Sequence, residues 1–444
     1  MKKLYEGNLK KNFFVFAFPL VLTALFSQAY HIINTIMAGK LIGDEAISAI
    51  GSTSPFISMI SSVFWGYGTG LSVYVAMLFG ERDYKKMINV IKINILLSSL
   101  IIIVISILCI LFHSVIFNFL NIEKHLWEDS YSYFKIYMYG LVFLHLNWCF
   151  LPIANAIGKS VFPFVASVIS NILNIFGNYI FIKHFHMRVE GTAYATVISA
   201  FIISVFYLIT FIRTFKNEKI SIRGLYFSAD ELSESWSYSF PTMLQQSVMY
   251  MCTAFVSPLT NKCGAAAIAG YTIGMRLYDL NAAIYQNSNK TIGNFIAQCM
   301  GAKKYQLIND GIKVCLVQTP LFLLPFLLFT VFGSGLISDI FLDESDSIYY
   351  SSVFMKYCMP FVIFNVINNF LHAIFRSVGS GRILVVSTVI YSVSRFAYSY
   401  IFYEIFDMFG IYLAIILSWI TEAVFGLYVY FSGKWKNDEL NINA

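Results

Sequence analysis

Stretch after stretch of this chain runs for twenty or more residues with almost no charge. A helix of that length reaches across the roughly 30 Å hydrocarbon layer of a bilayer. Only 12% of the 444 residues are charged and 58% are apolar, against about 25% charged in an ordinary soluble domain. Half the usual charge over such a length excludes a soluble enzyme and a disordered chain. The net charge of +6 is spread thinly, with no basic run beyond pairs such as Lys2-Lys3 and Lys10-Lys11, which excludes a nucleic-acid binder. The sequence therefore predicts an all-α polytopic membrane protein.

Twelve helices are predicted, at about 12–37, 46–79, 88–118, 127–155, 161–184, 190–213, 234–261, 265–300, 305–338, 347–376, 383–405 and 409–432. Those longer than thirty residues must tilt, bend or project from the bilayer. Placing the N-terminus inside and alternating puts the basic clusters on one side. These are Lys2-Lys3, Lys10-Lys11, Arg82 with Lys85-Lys86, Arg213 to Arg223, Lys303-Lys304, Arg376 with Arg382, and Lys434 with Lys436. The other side holds scattered Lys40, Lys124, Lys183, Arg188 and Lys262, and an acidic loop of Asp339, Asp343, Glu344 and Asp346. The positive-inside bias predicts both termini in the cytoplasm.

The two sixes resemble each other. "FAFPL" (16–20) answers "YSFPT" (238–242), and "LIGDEAISAIG" (41–51) answers "NKCGAAAIAGY" (261–271). "LFGERDYKK" (78–86) answers "CMGAKKYQ" (299–306), and "NAIGKSVFP" (155–163) answers "FRSVGSGRI" (375–383). The pairs lie about 220 residues apart. Two six-helix lobes are expected, 1–220 and 221–444, joined by a cytoplasmic linker at about 214–233. Such a repeat is a transporter architecture with its pathway between the bundles. The seven cysteines are scattered without a C-x-x-C or a histidine at metal spacing, so no metal site is expected. The basic start leads into an apolar stretch that is long and lacks a small-residue cleavage site, so no cleavable signal is expected.

At these residues the chain resembles the multidrug and toxic compound extrusion (MATE) family, within the larger flippase and exporter superfamily. "NTIMAGKLIGDEAISAIG" is similar to that family's first outer loop, and "NILNIFGNYIFI" (171–182) with "EGTAYATVISA" (190–200) to its fifth and sixth spans. "SADELSESWSYSFPTMLQQ" (228–246) resembles the interlobe helix entering the seventh span. "TIGNFIAQCMGAKK" (291–304) resembles the end of the eighth, with Cys299 where the family has Asn. The resemblance implies a V-shaped pair of bundles in a bacterial cytoplasmic membrane, acting as a monomer by alternating access. It implies export of small amphipathic, often cationic compounds against an inward flow of protons or sodium, with no other cofactor. Two positions depart from it. Asn34 and Asn178 stand where relatives carry the acids of the N-lobe ion site. An amide does not titrate near neutral pH and offers an ion only a neutral oxygen.

Ionisable groups deep in spans are costly and face a cavity or a partner. Arg276, Asp279, Arg395, Lys290 and Glu422 all lie in the second half, whereas Lys92, Lys135 and Lys356 lie near span ends, where they can snorkel. On span 8, Arg276, Asp279, Gln286, Asn287, Lys290 and Asn294 share a sector about 120° wide. It is read either as an internal Arg276–Asp279 pair or as part of a substrate pathway. Asn281, Ser288 and Asn289 lie off that stripe, so the helix is expected to be enclosed nearly all round. Asn365, Asn368, Asn369, His372 and Arg376 share a face of span 10, Asn171, Asn174 and Asn178 one of span 5, and Gln28, His31, Asn34 and Thr35 one of span 1. Such groups either tie helices together or line a shared wet cavity. His31, His145 and His372 are the histidines embedded in spans.

The functional reading is a secondary active exporter of small organic compounds, with a flippase or exporter of a lipid-linked or anionic substrate as alternative. The basic lean of Arg276, Lys290 and Arg395 against Asp279 and Glu422 favours the alternative. A membrane enzyme would need converging acid/base or metal groups, which dispersed histidines and two deep acids do not supply. No filter-like segment suggests a channel.

Overall fold

The computed structural model describes residues 3–42, 44–120, 122–221, 224 and 226–436, and their side chains outside 29–42, 44–47, 254 and 261. The helices are α1 (Leu9–Ile42), α2 (Asp44–Glu81), α3 (Tyr84–Leu111), α4 (His113–Phe119), α5 (Trp127–Ala156), α6 (Val161–Tyr179) and α7 (Val189–Asn217). They continue as α8 (Ala229–Lys262), α9 (Ala265–Gly301), α10 (Gln306–Phe332), α11 (Ser334–Phe341), α12 (Ser345–Val353), α13 (Val362–Ser377) and α14 (Gly381–Phe431). A π-helical segment, Ile180–His184, prolongs α6, and another, Phe354–Cys358, with a short 3-10 turn joins α12 to α13.

These elements are the twelve predicted spans. Nine stretches are long and apolar enough to cross a membrane among the described residues. Helices α8 and α9 are not among them, because their polar residues lower the average. Helix α14 counts once but holds two spans. Asp407 breaks it with φ 49° and ψ −125°, a left-handed conformation that costs a non-glycine residue energy. The chain then doubles back so tightly that a Cβ on Gly410 would collide with the Phe402 carbonyl. Only glycine fits that approach.

The internal repeat survives in the helix breaks. Helix α3 ends at Phe112 and restarts as the short α4; helix α10 ends at Gly333 and restarts as α11. Those breaks fall at matching places in the two halves.

The chain forms two compact units, and their boundaries differ from the expected division at residue 220. One unit holds Phe26–Ser239; the other holds Leu4–Leu25 with Phe240 onward. The opening residues belong with the second unit because its side chains hold them. The Leu4 amide donates to Gln298 Oε1 at 2.9 Å, Phe13 meets Phe295 edge-on at 5.0 Å, and Phe14 stacks on Phe322 at 5.5 Å. Lys304 Nζ caps the Tyr5 ring at 4.4 Å, a cation–π contact.

In the first unit, the turns of α8 before Phe240 are fastened to α2 and α3. Glu234 takes a 2.7 Å bond from Lys86 and another from the Tyr74 hydroxyl, while Glu231 takes one from Asn89 at 2.8 Å. Tyr226 also donates to Glu231 at 2.7 Å, which holds its phenol above the ordinary range. Gly70 permits the close approach: a Cβ there would sit 2.5 Å from Ser239 Cα. The predicted linker at 214–233 is therefore partly structured, and its acidic end packs on the first unit.

Candidate functional site

The second unit buries a continuous line of polar side chains at its centre. His372 on α13 and Glu422 on the second span of α14 are 7% and 4% exposed. His372 Nε2 lies 3.1 Å from Glu422 Oε1 and 3.1 Å from Ser387 Oγ, and Ser387 donates to the same carboxylate oxygen at 3.2 Å. On the other ring nitrogen, Gln245 Nε2 of α8 lies 3.0 Å from Nδ1. Gln245 Oε1 in turn accepts from Arg376 Nη2 at 2.8 Å. Helices α8, α13 and both spans of α14 thus contribute to one chain, Arg376–Gln245–His372–Glu422, with Ser387 beside its acidic end. A carboxylate this deep requires partners, since stripping its water without replacing its hydrogen bonds is prohibitive.

Helix α9 supplies a second layer. Asn289 Nδ2 donates to Asn369 Oδ1 at 3.2 Å, and Asn289 Oδ1 accepts from Thr319 at 2.9 Å. Asn281 bonds Thr330 and Ser288 bonds Thr319. These off-stripe residues are buried, but the helix is not enclosed nearly all round as expected. The stripe itself is the less buried side: Arg276 and Gln286 are exposed, and Asp279, Asn287, Lys290 and Asn294 are intermediate. Lys290 Nζ donates to Asn287 Oδ1 at 2.9 Å. Asn365 donates to the Tyr278 hydroxyl at 2.6 Å, and Tyr278 stacks on Trp419 at 5.4 Å. Asn368 donates to the Trp419 carbonyl at 3.0 Å.

The expected Arg276–Asp279 pair is not formed. Among the described residues no ion pair joins them, and Arg276 is exposed while Asp279 is half-buried. The i, i+3 spacing allows such a pair, but an arginine open to its surroundings gains little by holding one geometry. Arg395 is buried beside the Tyr271 phenol, and no residue of the His372 chain is among its described hydrogen-bond partners.

In the first unit, Asn178 Nδ2 donates to Asn174 Oδ1 at 2.9 Å and Asn174 Nδ2 donates to Thr196 Oγ1 at 3.1 Å. The two amides form a ladder between α6 and α7, both buried. Gln28 is half-buried on α1. The side chains of His31 and Asn34 lie outside the described residues. His145, 0% exposed, meets Ser98 Oγ at 2.7 Å; the Phe64 ring lies edge-on to it at 5.1 Å.

Sequence reasoning placed His372 and Glu422 among its candidates without pairing them, since 50 residues separate them. It passed over Gln245 and Ser387. Gln245 carried a signal: an amide one helical turn past Pro241, entering an apolar stretch, must find a buried partner. Ser387 carried none, because a serine in a membrane helix can satisfy itself on its own backbone.

The MatE family profile matches residues 19–180 and 241–401, once in each half. The chain is 23% identical over 429 residues to the multidrug export protein MepA of Staphylococcus haemolyticus, covering 96% of this chain and 94% of MepA. It is 22% identical to the probable multidrug resistance protein YpnP of Bacillus subtilis, covering 97% of each. Among solved structures, an outward-facing multidrug resistance MATE family transporter of the MOP superfamily superposes with a TM-score of 0.90 at 19% identity, over 98% of this chain and 99% of that one. A MOP superfamily transporter from Pyrococcus furiosus, described by a reverse polarity of its binding pocket, gives 0.88 at 19% identity over 98% and 99%. With both halves matched and the fold shared end to end, the chain belongs to the MatE family of multidrug and toxic compound extrusion transporters.

Proposed function

We propose that the protein exports small amphipathic organic compounds across the bacterial cytoplasmic membrane by alternating access, driven by protons, with both termini in the cytoplasm. The buried His372–Glu422 pair carries the coupling part of this reading. A driven cycle needs a group that changes charge, and histidine is the side chain suited to do so near neutral pH. Asn174 and Asn178 bond each other as amides, so the first unit offers no titrating group there. Similarity to MepA and YpnP supports multidrug substrates.

The test is uptake into inverted vesicles, comparing cationic dyes with anionic amphiphiles under imposed pH and sodium gradients. Dye accumulation driven by acid inside, abolished in His372→Gln, is the expected result. Accumulation driven by sodium alone overturns proton coupling. Cysteine labelling at Asp343 and Lys216 from opposite sides checks the topology. A second reading, an anionic or lipid-linked substrate, draws support from the exposed Arg276 and the half-buried Lys290 and Arg376 on α9 and α13. Accumulation of the anionic amphiphiles in place of dyes would select it.

A further inference from the structure

The hydrogen bonds around Gln245 fix more than its position. Arginine can only donate, so the 2.8 Å contact from Arg376 Nη2 requires Gln245 to present its oxygen there. The amide nitrogen must then face His372 Nδ1, 3.0 Å away, and an amide nitrogen also only donates. Nδ1 is therefore the acceptor and carries no proton. The imidazole is neutral, with its proton on Nε2, directed at Glu422 Oε1 and Ser387 Oγ. Each bond dictates the next, from Arg376 to Glu422.

We infer that Gln245 is a positioning residue that transmits the protonation of His372 to Arg376. This rests on the proposal that His372 takes up the coupled proton. A proton added to Nδ1 would point at the amide hydrogens of Gln245. The amide must turn over to offer its oxygen to the imidazolium, and its nitrogen then faces Arg376, donor against donor. Arg376 loses its one described hydrogen-bond acceptor. Its Nε is already buried without a partner, so among the described residues no hydrogen-bond acceptor is left for the guanidinium. Arg376 ends α13 close to the charge of Lys290 on α9. Gly293 packs against Ala373 and Ser377 at the same level. Releasing Arg376 thus changes the charged, partly exposed face of the second unit. The ionisable and polar groups facing His372 are Glu422 and Ser387 from α14, Gln245 from α8 and Arg376 on its own helix. Tyr391 and Arg395 lie further along α14, with Tyr391 sensing both Arg395 and Glu422.

Nitrogen-15 NMR of histidine-labelled full-length protein in bilayers reads the ring directly, without requiring transport. The His372 signals are assigned by their loss in His372→Gln. At high pH the expected tautomer has a bare Nδ1 and a protonated Nε2; a protonated Nδ1 overturns the inference. The titration midpoint is then compared in four proteins. Arg376→Gln should raise it by about one pH unit or more, since the amide turns without stranding a guanidinium. In a Gln245→Met background the same change should move it much less, because only through-space repulsion remains. Equal shifts in both backgrounds overturn the inference. If Gln245→Met fails to fold, Gln245→Glu serves in its place: with acceptors at both ends it should move the neutral ring's proton to Nδ1, and an unchanged tautomer counts against the relay. Failure of proton-driven transport with an intact relay in the spectra would refute only the proposed coupling.

Discussion

Two repeat-related helices, α5 and α13, each bury one histidine, and the two sites differ in their neighbours. His145 on α5 sits among neutral groups. Ser98 Oγ lies 2.7 Å from His145 Nε2 and 2.6 Å from the Asn94 carbonyl. Tyr67 and Ser235 complete the cluster by donating to Asn94 Oδ1 at 2.7 and 3.1 Å. Among the described residues no carboxylate reaches that ring. His372 on α13 has Glu422 at 3.1 Å on one side and, through Gln245, an arginine on the other. A buried imidazole with only neutral partners gains nothing by charging, since burial penalises the charged form. One beside a carboxylate has a reason to. The first histidine ties α3 to α5; the second joins α8, α13 and α14 and is the one to which the proposed function assigns the coupled proton.

The most damaging way to break this contrast is to remove the carboxylate. Glu422→Ala should cost about 1–3 kcal/mol of stability, the range for leaving buried donors, here His372 Nε2 and the Ser387 hydroxyl, without their acceptor, and abolish gradient-driven uptake. Thermal unfolding in detergent and uptake into inverted vesicles measure both. Wild-type uptake in that variant would remove Glu422 from the mechanism.

Next come the histidines themselves, each replaced by glutamine. His372→Gln should lower gradient-driven uptake at least about tenfold and flatten its pH profile, as expected for losing a charge-assisted bond. His145→Gln should keep the wild-type profile. A flattened profile in His145→Gln would make the two sites equivalent and the comparison mistaken.

A smaller effect is expected at the amide ladder of the first unit. Asn178→Ala removes the hydrogen bond to Asn174, worth about 1 kcal/mol, and should slow uptake without altering its dependence on pH. Asp279→Asn should do least. With no ion pair to break, its melting temperature should reflect a change within about 0.5 kcal/mol; a larger loss would show that Asp279 acquires a partner in the working membrane protein.

All twelve spans were legible in the chain, including α8 and α9, because the order of the repeat marks them even where polar residues dilute their hydropathy. The tight turn at Asp407 was placed to within a few residues. Enclosure of α9 nearly all round was expected and only one side has it: Asn281, Ser288 and Asn289 are enclosed, while the Arg276-to-Asn294 stripe is the more open side. The Arg276–Asp279 pair failed because spacing along a helix shows which groups can meet, while their surroundings decide whether meeting is favourable.

The sequence by itself determined the membrane class, the number of spans and the two-fold repeat, because hydropathy and loop charge act locally and are written in contiguous residues. Tertiary structure alone decided that Leu4–Leu25 packs with the second unit and that Glu422 meets His372. It likewise decided that Gln245 lies between His372 and Arg376. Those are pairings between distant parts of the chain, and they follow from which helix faces happen to be brought together when the bundle packs. A hydrogen bond then selects its partners by distance and by the direction of donor and acceptor, neither of which the order of residues records.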